Sequence, residues 1–391
     1  MKISKDILFV STADWDNPFW TNKQHVAIEL EKLGHRILYI DSQGLRKPTA
    51  TGRDFKRIFK RLFKGLGLPK KVDNKNIWVC SPIVLPFHDN KIAKFLNKIL
   101  LKILVSYWEI VTNLRPETIW TYSPITTSLY DLNKYNLKVY HAVDDIKTQP
   151  GMPFSEIKER EVDLLKSVDF IFTTALKLQD ELSIVNPSCY YFSNVADYTH
   201  FSLARSEIDI PDDLKCLSKP IIGFVGAISS YKVDFNLIKF IAESRRDWTI
   251  AMIGEVGEGD PNTTIDIFDD CSNVVFLGPK DYKKLPAYIK GFDVAMIPCH
   301  INDYTKSMFP MKFFEYLAAG VNVVSTDLPA LKDYGDVAYL TASSDEFLNC
   351  LEKAIMQKDL IPLSKRDAVA LEKTYTKRMV AMLDVISNEK K

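Results

Sequence analysis

Lys312 and Glu315 stand one helical turn apart in SMFPMKFFEYLAAGVNVVST, residues 307–326, and are the only charged residues in it. Pro310 marks the start of a helix, because proline is tolerated in a first turn. Ala318, Ala319 and Gly320 allow close packing and then end the helix. VNVVST follows as a buried strand. A helix N-terminus offers unpaired N–H groups and a positive partial charge, so it suits a phosphate. Phe309, Pro310, Met311 and Lys312 occupy that end, and Lys312 adds a point charge for a diphosphate. A carboxylate beside a phosphate is electrostatically costly unless it serves another group. Accepting the hydroxyl protons of a ribose is such a role for Glu315. The competing reading is a plain i,i+3 ion pair on a helix surface.

VYHAVDDIKTQPG carries a second set. An apolar strand ends in paired carboxylates, Asp144 and Asp145, with His141 three residues before Asp144. Carboxylates at the C-terminal end of a parallel strand face a ligand crevice. An Asp beside a second carboxylate is a stronger base, suited to taking a proton from a hydroxyl. The alternative is that both Asp cap the next segment. The pair also has metal-binding character.

Residues 11–22, STADWDNPFWTN, follow the first strand without a glycine-rich phosphate fingerprint, so no dinucleotide site is expected there. Trp15, Phe19 and Trp20 can stack on a sugar or a lipid-linked acceptor, or simply pack; Asp14 and Asp16 are further acceptor candidates. Residues 53–71 read RDFKRIFKRLFKGLGLPKK. One face carries Phe55, Ile58, Phe59, Leu62, Phe63 and Leu66; the other carries Arg53, Lys56, Arg57, Lys60, Arg61 and Lys64. That pattern suits a helix lying in an anionic membrane interface. Residues 91–102, KIAKFLNKILLK, repeat the theme, and there an ordinary surface helix with its apolar face on the core is the expected reading.

Strands must hold these groups. DILFVST, RILYID, NIWVCSP, TIWTYS, KVYHAVDD, FIFTTA and YYFSNV alternate with helical patterns, which predicts a parallel sheet covered on both faces. A polar segment, 197–219, reads as a linker. PIIGFVGA, WTIAMIG, NVVFLG, VAMIPC and VNVVST then build a second such sheet. The expected fold class is α/β: two Rossmann-like, doubly wound parallel-sheet domains facing across a cleft. The expected domains are 1–200 for acceptor and membrane, 201–365 for the donor, and a helix over 366–391 crossing back to the first. That helix begins near Leu363.

Composition limits the alternatives. A chain of 391 residues suggests two domains. Its net charge of +1 argues against a general nucleic-acid binder. The six cysteines show no C-x-x-C spacing, which argues against zinc and suits a reducing cytosol. No signal peptide is evident, and no apolar run reaches the roughly 18 residues that span a bilayer.

PMKFFEYLAAGVNVVST resembles the donor-binding segment of the group 1 glycosyltransferases with the GT-B fold, P-x-K-x-x-E-Y-x-A-x-G-x-P-V-V. The nearest resemblance is to bacterial teichuronic-acid and exopolysaccharide enzymes. Asn322 replaces the family's usual Pro, and Ser307 stands where many members carry an earlier Glu. The resemblance implies that Glu315 binds the donor ribose, and that Met311 and Lys312 hold the phosphates. It also implies that GFVGAISSYKVD is the first donor loop, with Gly226 approaching the diphosphate and Lys232 contacting phosphate. Ala227 replaces a frequent Arg there. Gly278, in FLGPKD, falls in the base-contacting loop. Asp144 aligns with the proposed base, with Asp145 and His141 as support. The implied activity is transfer of a sugar from a nucleotide diphosphate-sugar, UDP-sugar favoured, to a saccharide acceptor in cell-surface polysaccharide synthesis. No cofactor or metal is expected. The implied location is cytoplasmic, at the inner face of the plasma membrane. A nucleotide-sugar epimerase and a non-catalytic scaffold are the competing functions.

Overall fold

The computed structural model describes residues 3–17, 20–44, 68–85, 91–258, 260 and 262–388. Phe19 and the basic stretch 53–64 therefore lie outside the described residues. The chain divides into two compact units: 1–192 with 379–391, and 193–378.

The first unit holds an eight-stranded sheet. Its strands are β1 (Asp6–Val10), β2 (Arg36–Ile40), β3 (Lys70–Lys71), β4 (Ile77–Cys80), β5 (Thr118–Thr121), β6 (Leu137–Ala142), β7 (Phe170–Thr173) and β8 (Cys189–Tyr191). The order is β3-β4-β2-β1-β5-β6-β7-β8, parallel except for β3 against β4. The second unit holds β9 (Ile221–Val225), β10 (Thr249–Ile253), β11 (Val274–Gly278), β12 (Val294–Ile297), β13 (Val323–Thr326) and β14 (Tyr339–Thr341). Their order is β11-β10-β9-β12-β13-β14, all parallel. Strands such as DILFV and IIGFV are buried along their whole length. This follows from helices covering both faces of a parallel sheet. Strand order reverses between β1 and β5 in one unit and between β9 and β12 in the other. A reversal opens a crevice at the strands' C-terminal ends.

Three expectations need correction. The polar segment 197–219 is not a solvent-borne linker. It forms short helices whose Phe201, Ala204 and Leu214 are buried in the second unit's core. The single final helix is two, Leu363–Glu372 and Tyr375–Asn388. The break falls where the Ala196 N–H donates to the Lys373 carbonyl at 3.0 Å and Ala196 bridges Thr374. Beyond it, Met379, Met382 and Ile386 pack in a first-unit core with Ile7, Phe9 and Trp120. The third correction concerns residues 91–102. They open a helix running to Thr112 that buries Leu101, Val105 and Trp108 yet leaves a second apolar face exposed.

Asn322, at the family's proline position, is buried and satisfied. Its amide donates to the carbonyls of Ala354 (3.2 Å) and Lys358 (3.1 Å), and its oxygen accepts from Arg366. It thus ties β13's entrance to the end of helix Ser344–Met356.

If segment 197–219 is core, Phe201→Ala should cost about 3–5 kcal/mol. A denaturant titration followed by tryptophan fluorescence measures it. A cost below about 1 kcal/mol would return the segment to the status of a linker.

Candidate functional site

The second unit's crevice is built around β9 and the loop after it. Gly226 has φ +143° and Gly254, after β10, has φ +148°. A Cβ on Gly254 would lie 1.9 Å from the Gly226 carbonyl oxygen. The two loops therefore touch through bare backbone, which only glycine permits. The Gly226 N–H donates to the Ile253 carbonyl at 2.9 Å, and the Gly254 N–H donates to the Gly278 carbonyl at 3.1 Å. Gly278 joins the same set of loops.

Helix Lys312–Ala319 brings its N-terminus to this place. The Tyr316 hydroxyl accepts from the Val225 N–H at 2.8 Å, which registers the helix against the end of β9. The Asn194 amide donates to the Phe309 carbonyl at 2.8 Å and holds the approach to the helix. Phe309 is buried and stacked on Phe314 at 5.1 Å; Pro310 is buried, while Met311 and Lys312 are half-buried. The Lys312 ammonium lies over the Phe224 ring, 5.1 Å from its centroid. A Cβ on Gly226 would come within 2.9 Å of Lys312 Cε, so the side chain runs directly over the glycine.

Lys232 reaches the same neighbourhood. Both Lys232 and Lys312 act electrostatically on Cys299 and on Glu258, pulling each down against burial that pushes it up. The Lys232 carbonyl accepts from the His300 N–H at 2.9 Å, pinning this loop to the segment after β12. Two cations, a helix N-terminus and two bare glycines thus meet where strand order reverses. Such a meeting of positive charge and open backbone can hold an anionic group.

Glu315 keeps part of its surface open, yet protein surrounds it. Desolvation pushes its carboxyl up to about 7; Lys312 pulls it down and Asp197 raises it further. Glu315 in turn raises the phenols of Tyr282 and Tyr375, both already raised by burial. A half-open carboxyl can accept hydrogen bonds from hydroxyl groups. The competing reading, an exposed i,i+3 ion pair with Lys312, is not what forms. Ser307 turns away from such work, its buried hydroxyl donating to the Asp303 carbonyl at 3.2 Å.

In the first unit, Asp144 follows β6, with the buried ammonium of Lys23 3.9 Å from its carboxylate. Burial lowers the Lys23 pKa and Asp144 raises it. Lys23 also lies 5.7 Å from the Tyr122 ring centroid. Asp145 is committed elsewhere: the Lys147 ammonium donates to it at 2.6 Å and also to Glu161 at 3.3 Å. His141 lies inside β6, fully buried, stacked on Tyr122 at 4.8 Å and edge-on to Trp120 at 6.0 Å. Asp14 accepts from the Ser42 N–H at 3.2 Å. Trp15 packs edge-on against Tyr39 at 5.0 Å and tilted against Trp20 at 5.9 Å, while Asp16 is exposed. Among the described residues no group of three or more His, Cys, Asp or Glu is arranged to hold a metal ion.

Sequence reasoning missed Lys23 and Glu258. Lys23 carried a signal: a cation in a helix's first turn opposes the helix dipole. Its placement there, in helix Asn22–Lys32, calls for a nearby anion. Glu258 stands in the acidic run EVGEGD just after β10.

Residues 219–357 match the family model for glycosyl transferases group 1. A putative teichuronic acid biosynthesis glycosyltransferase, TuaH of Bacillus subtilis, is 31% identical over 179 residues. That match spans 44% of this chain and 44% of the relative, so under half of each. Among solved structures, Anabaena HepE in complex with UDP and glucose superposes with a TM-score of 0.68 at 14% identity, covering 98% of this chain and 99% of that one. Sucrose-phosphate synthase from Thermosynechococcus elongatus gives 0.66 at 13% identity, covering 98% of each. At such identities the likeness establishes the fold, GT-B, and nothing finer.

The raised Glu315 carboxyl has a measurable consequence. Between an unfolded value of 4.5 and a folded value of about 7 the native chain binds the extra proton, so stability falls as pH climbs through that window. Glu315→Gln should remove this slope and be the more stable protein at pH 8, by about 1–3 kcal/mol. Unfolding midpoints of both proteins across pH check it; equal pH dependence would contradict the burial described.

Proposed function

We propose that this chain, whose residues 219–357 match the group 1 glycosyltransferase model, moves a sugar from a nucleoside diphosphate-sugar to a saccharide acceptor. UDP-sugars are the favoured donors. HepE, solved with UDP and with UDP-glucose, supports that choice. The observation that carries the reading is the convergence of Gly226, Lys232, Lys312 and Glu315 at the ends of β9 and β12.

In this reading the diphosphate lies over Gly226, against the N-terminus of helix Lys312–Ala319. Lys232 and Lys312 neutralise the charge that grows on it as the bond to the anomeric carbon breaks. The reading invokes no resident metal, since those two lysines and the helix end supply the positive charge. Glu315 accepts hydrogen bonds from the ribose hydroxyls. Gly278 contributes to the base-contacting loop. Asp144 takes the proton of the acceptor hydroxyl as that oxygen bonds to the anomeric carbon, a course that inverts its configuration. Lys23 positions Asp144. Asp145, tied to Lys147, acts by holding the loop that carries Asp144. Asp14, Asp16, Trp15 and Trp20 belong to the acceptor side.

TuaH supports an acceptor belonging to a bacterial cell-surface polymer. We extend this to a lipid-linked acceptor met at the inner face of the plasma membrane, with residues 53–64 as one contact. No helix among the described residues is long and apolar enough to cross a membrane.

Thermal unfolding against UDP, GDP, CMP and dTDP tests the donor site. UDP at about 100 times its Kd should add about 2.7 kcal/mol, and Glu315→Ala should lose that gain. No shift with any nucleotide would favour a non-catalytic scaffold. For the chemistry, Asp144→Asn should lower turnover by about 10²–10⁴-fold while the UDP shift survives. Unchanged turnover would remove Asp144 from the role of base.

A further inference from the structure

Helix Lys91–Thr112 carries two opposite apolar faces, with Lys94, Lys98 and Lys102 along one flank between them. An apolar helix face is ordinarily covered by another element. One face meets the first unit's core through Leu101, Val105 and Trp108. The opposite face carries Phe95, Leu96, Ile99, Ile103, Tyr107 and Ile110, each between 41% and 78% exposed. These six run along about 22 Å of helix. An aligned row of that length exceeds the scattered apolar residues a monomer ordinarily leaves bare.

Charge identifies what covers it. Lys98 and Lys102 follow the flank of the apolar row, and with Lys134 they line one surface groove beside it; its acid is Asp131. The helix carries one acid of its own, Glu109, whose carboxyl burial holds above the usual range. Large apolar side chains bounded by a lysine flank match the boundary between acyl chains and anionic headgroups. The same lysines rule out insertion across the bilayer, in keeping with the absence of any spanning helix among the described residues.

We propose that the exposed face of helix Lys91–Thr112 lies in the interface of an anionic membrane. Ile99, Ile103 and Ile110 enter the acyl boundary, and Lys98, Lys102 and Lys134 meet the headgroups. This deepens the membrane reading given above by placing the contact on a described helix. It does not depend on the transfer reaction.

Flotation of the full chain with vesicles of phosphatidylcholine, with and without phosphatidylglycerol, tests it. The variants are Ile103→Glu with Ile110→Glu, and separately Phe55→Glu with Phe59→Glu. Both isoleucines are more than half exposed, so the fold should tolerate the change; an unaltered thermal midpoint checks that. The wild type should float with the phosphatidylglycerol vesicles and lose binding as salt rises. The Ile103/Ile110 variant should bind roughly tenfold more weakly or worse. Undiminished flotation of that variant would overturn the helix face, and loss only in the Phe55/Phe59 variant would leave the membrane reading to residues 53–64. A wild type that never floats would overturn both. A dimeric wild type made monomeric by the isoleucine changes, with no effect on flotation, would assign the face to a second copy of the chain instead.

Discussion

The Gly226 carbonyl oxygen occupies the space that a side chain on Gly254 would need, 1.9 Å from where its Cβ would sit. This contact lets the loops after β9 and β10 meet with nothing but backbone between them. Room is left above for the Lys312 side chain, which crosses Gly226 on its way to the Phe224 ring. The helix behind Lys312 is fixed in turn by the Tyr316 hydroxyl on the Val225 N–H. One close backbone approach therefore sets the position of a helix end, a cation and a partly desolvated carboxyl.

That carboxyl shows how the site is tensioned. Glu315 is brought into low dielectric beside Asp197, with Lys312 as its counter-charge. A carboxyl in that balance is poised near neutrality, and a ligand offering hydroxyl donors would favour its charged form. The first unit has a matching arrangement of opposite sign. There the buried Lys23 is the strained group, and Asp144 is the ion that compensates it. Each unit thus holds one ionisable group whose pKa desolvation shifts, a feature that clusters at functional sites.

Most of the strand framework was legible because parallel strands buried on both faces read as unbroken apolar runs, as in DILFV, IIGFV and TIAMI. β3 and β14 escaped because two lysines and the triplet YLT carry no such run. Lys312 and Glu315 were legible as a local pair at a helix start. The burial of Glu315 was not, since Asp197, Tyr282 and Tyr375 reach it from distant parts of the chain. Lys23 and Asp144 meet for the same non-local reason. The helix over 91–112 misled because it carries two opposite apolar faces, and periodicity does not tell which of them meets the core. The break near Lys373 lay hidden because its cause is a backbone bond to Ala196, far away in sequence.

The central claim is that a nucleoside diphosphate binds at the ends of β9 and β12. A crystal structure of the protein grown with UDP tests it most directly. The account predicts the diphosphate over Gly226, within hydrogen-bond reach of Lys312 and the N–H groups opening helix Lys312–Ala319, and the ribose hydroxyls on Glu315. Well-ordered UDP bound elsewhere, with Glu315 and Lys312 untouched, would contradict it.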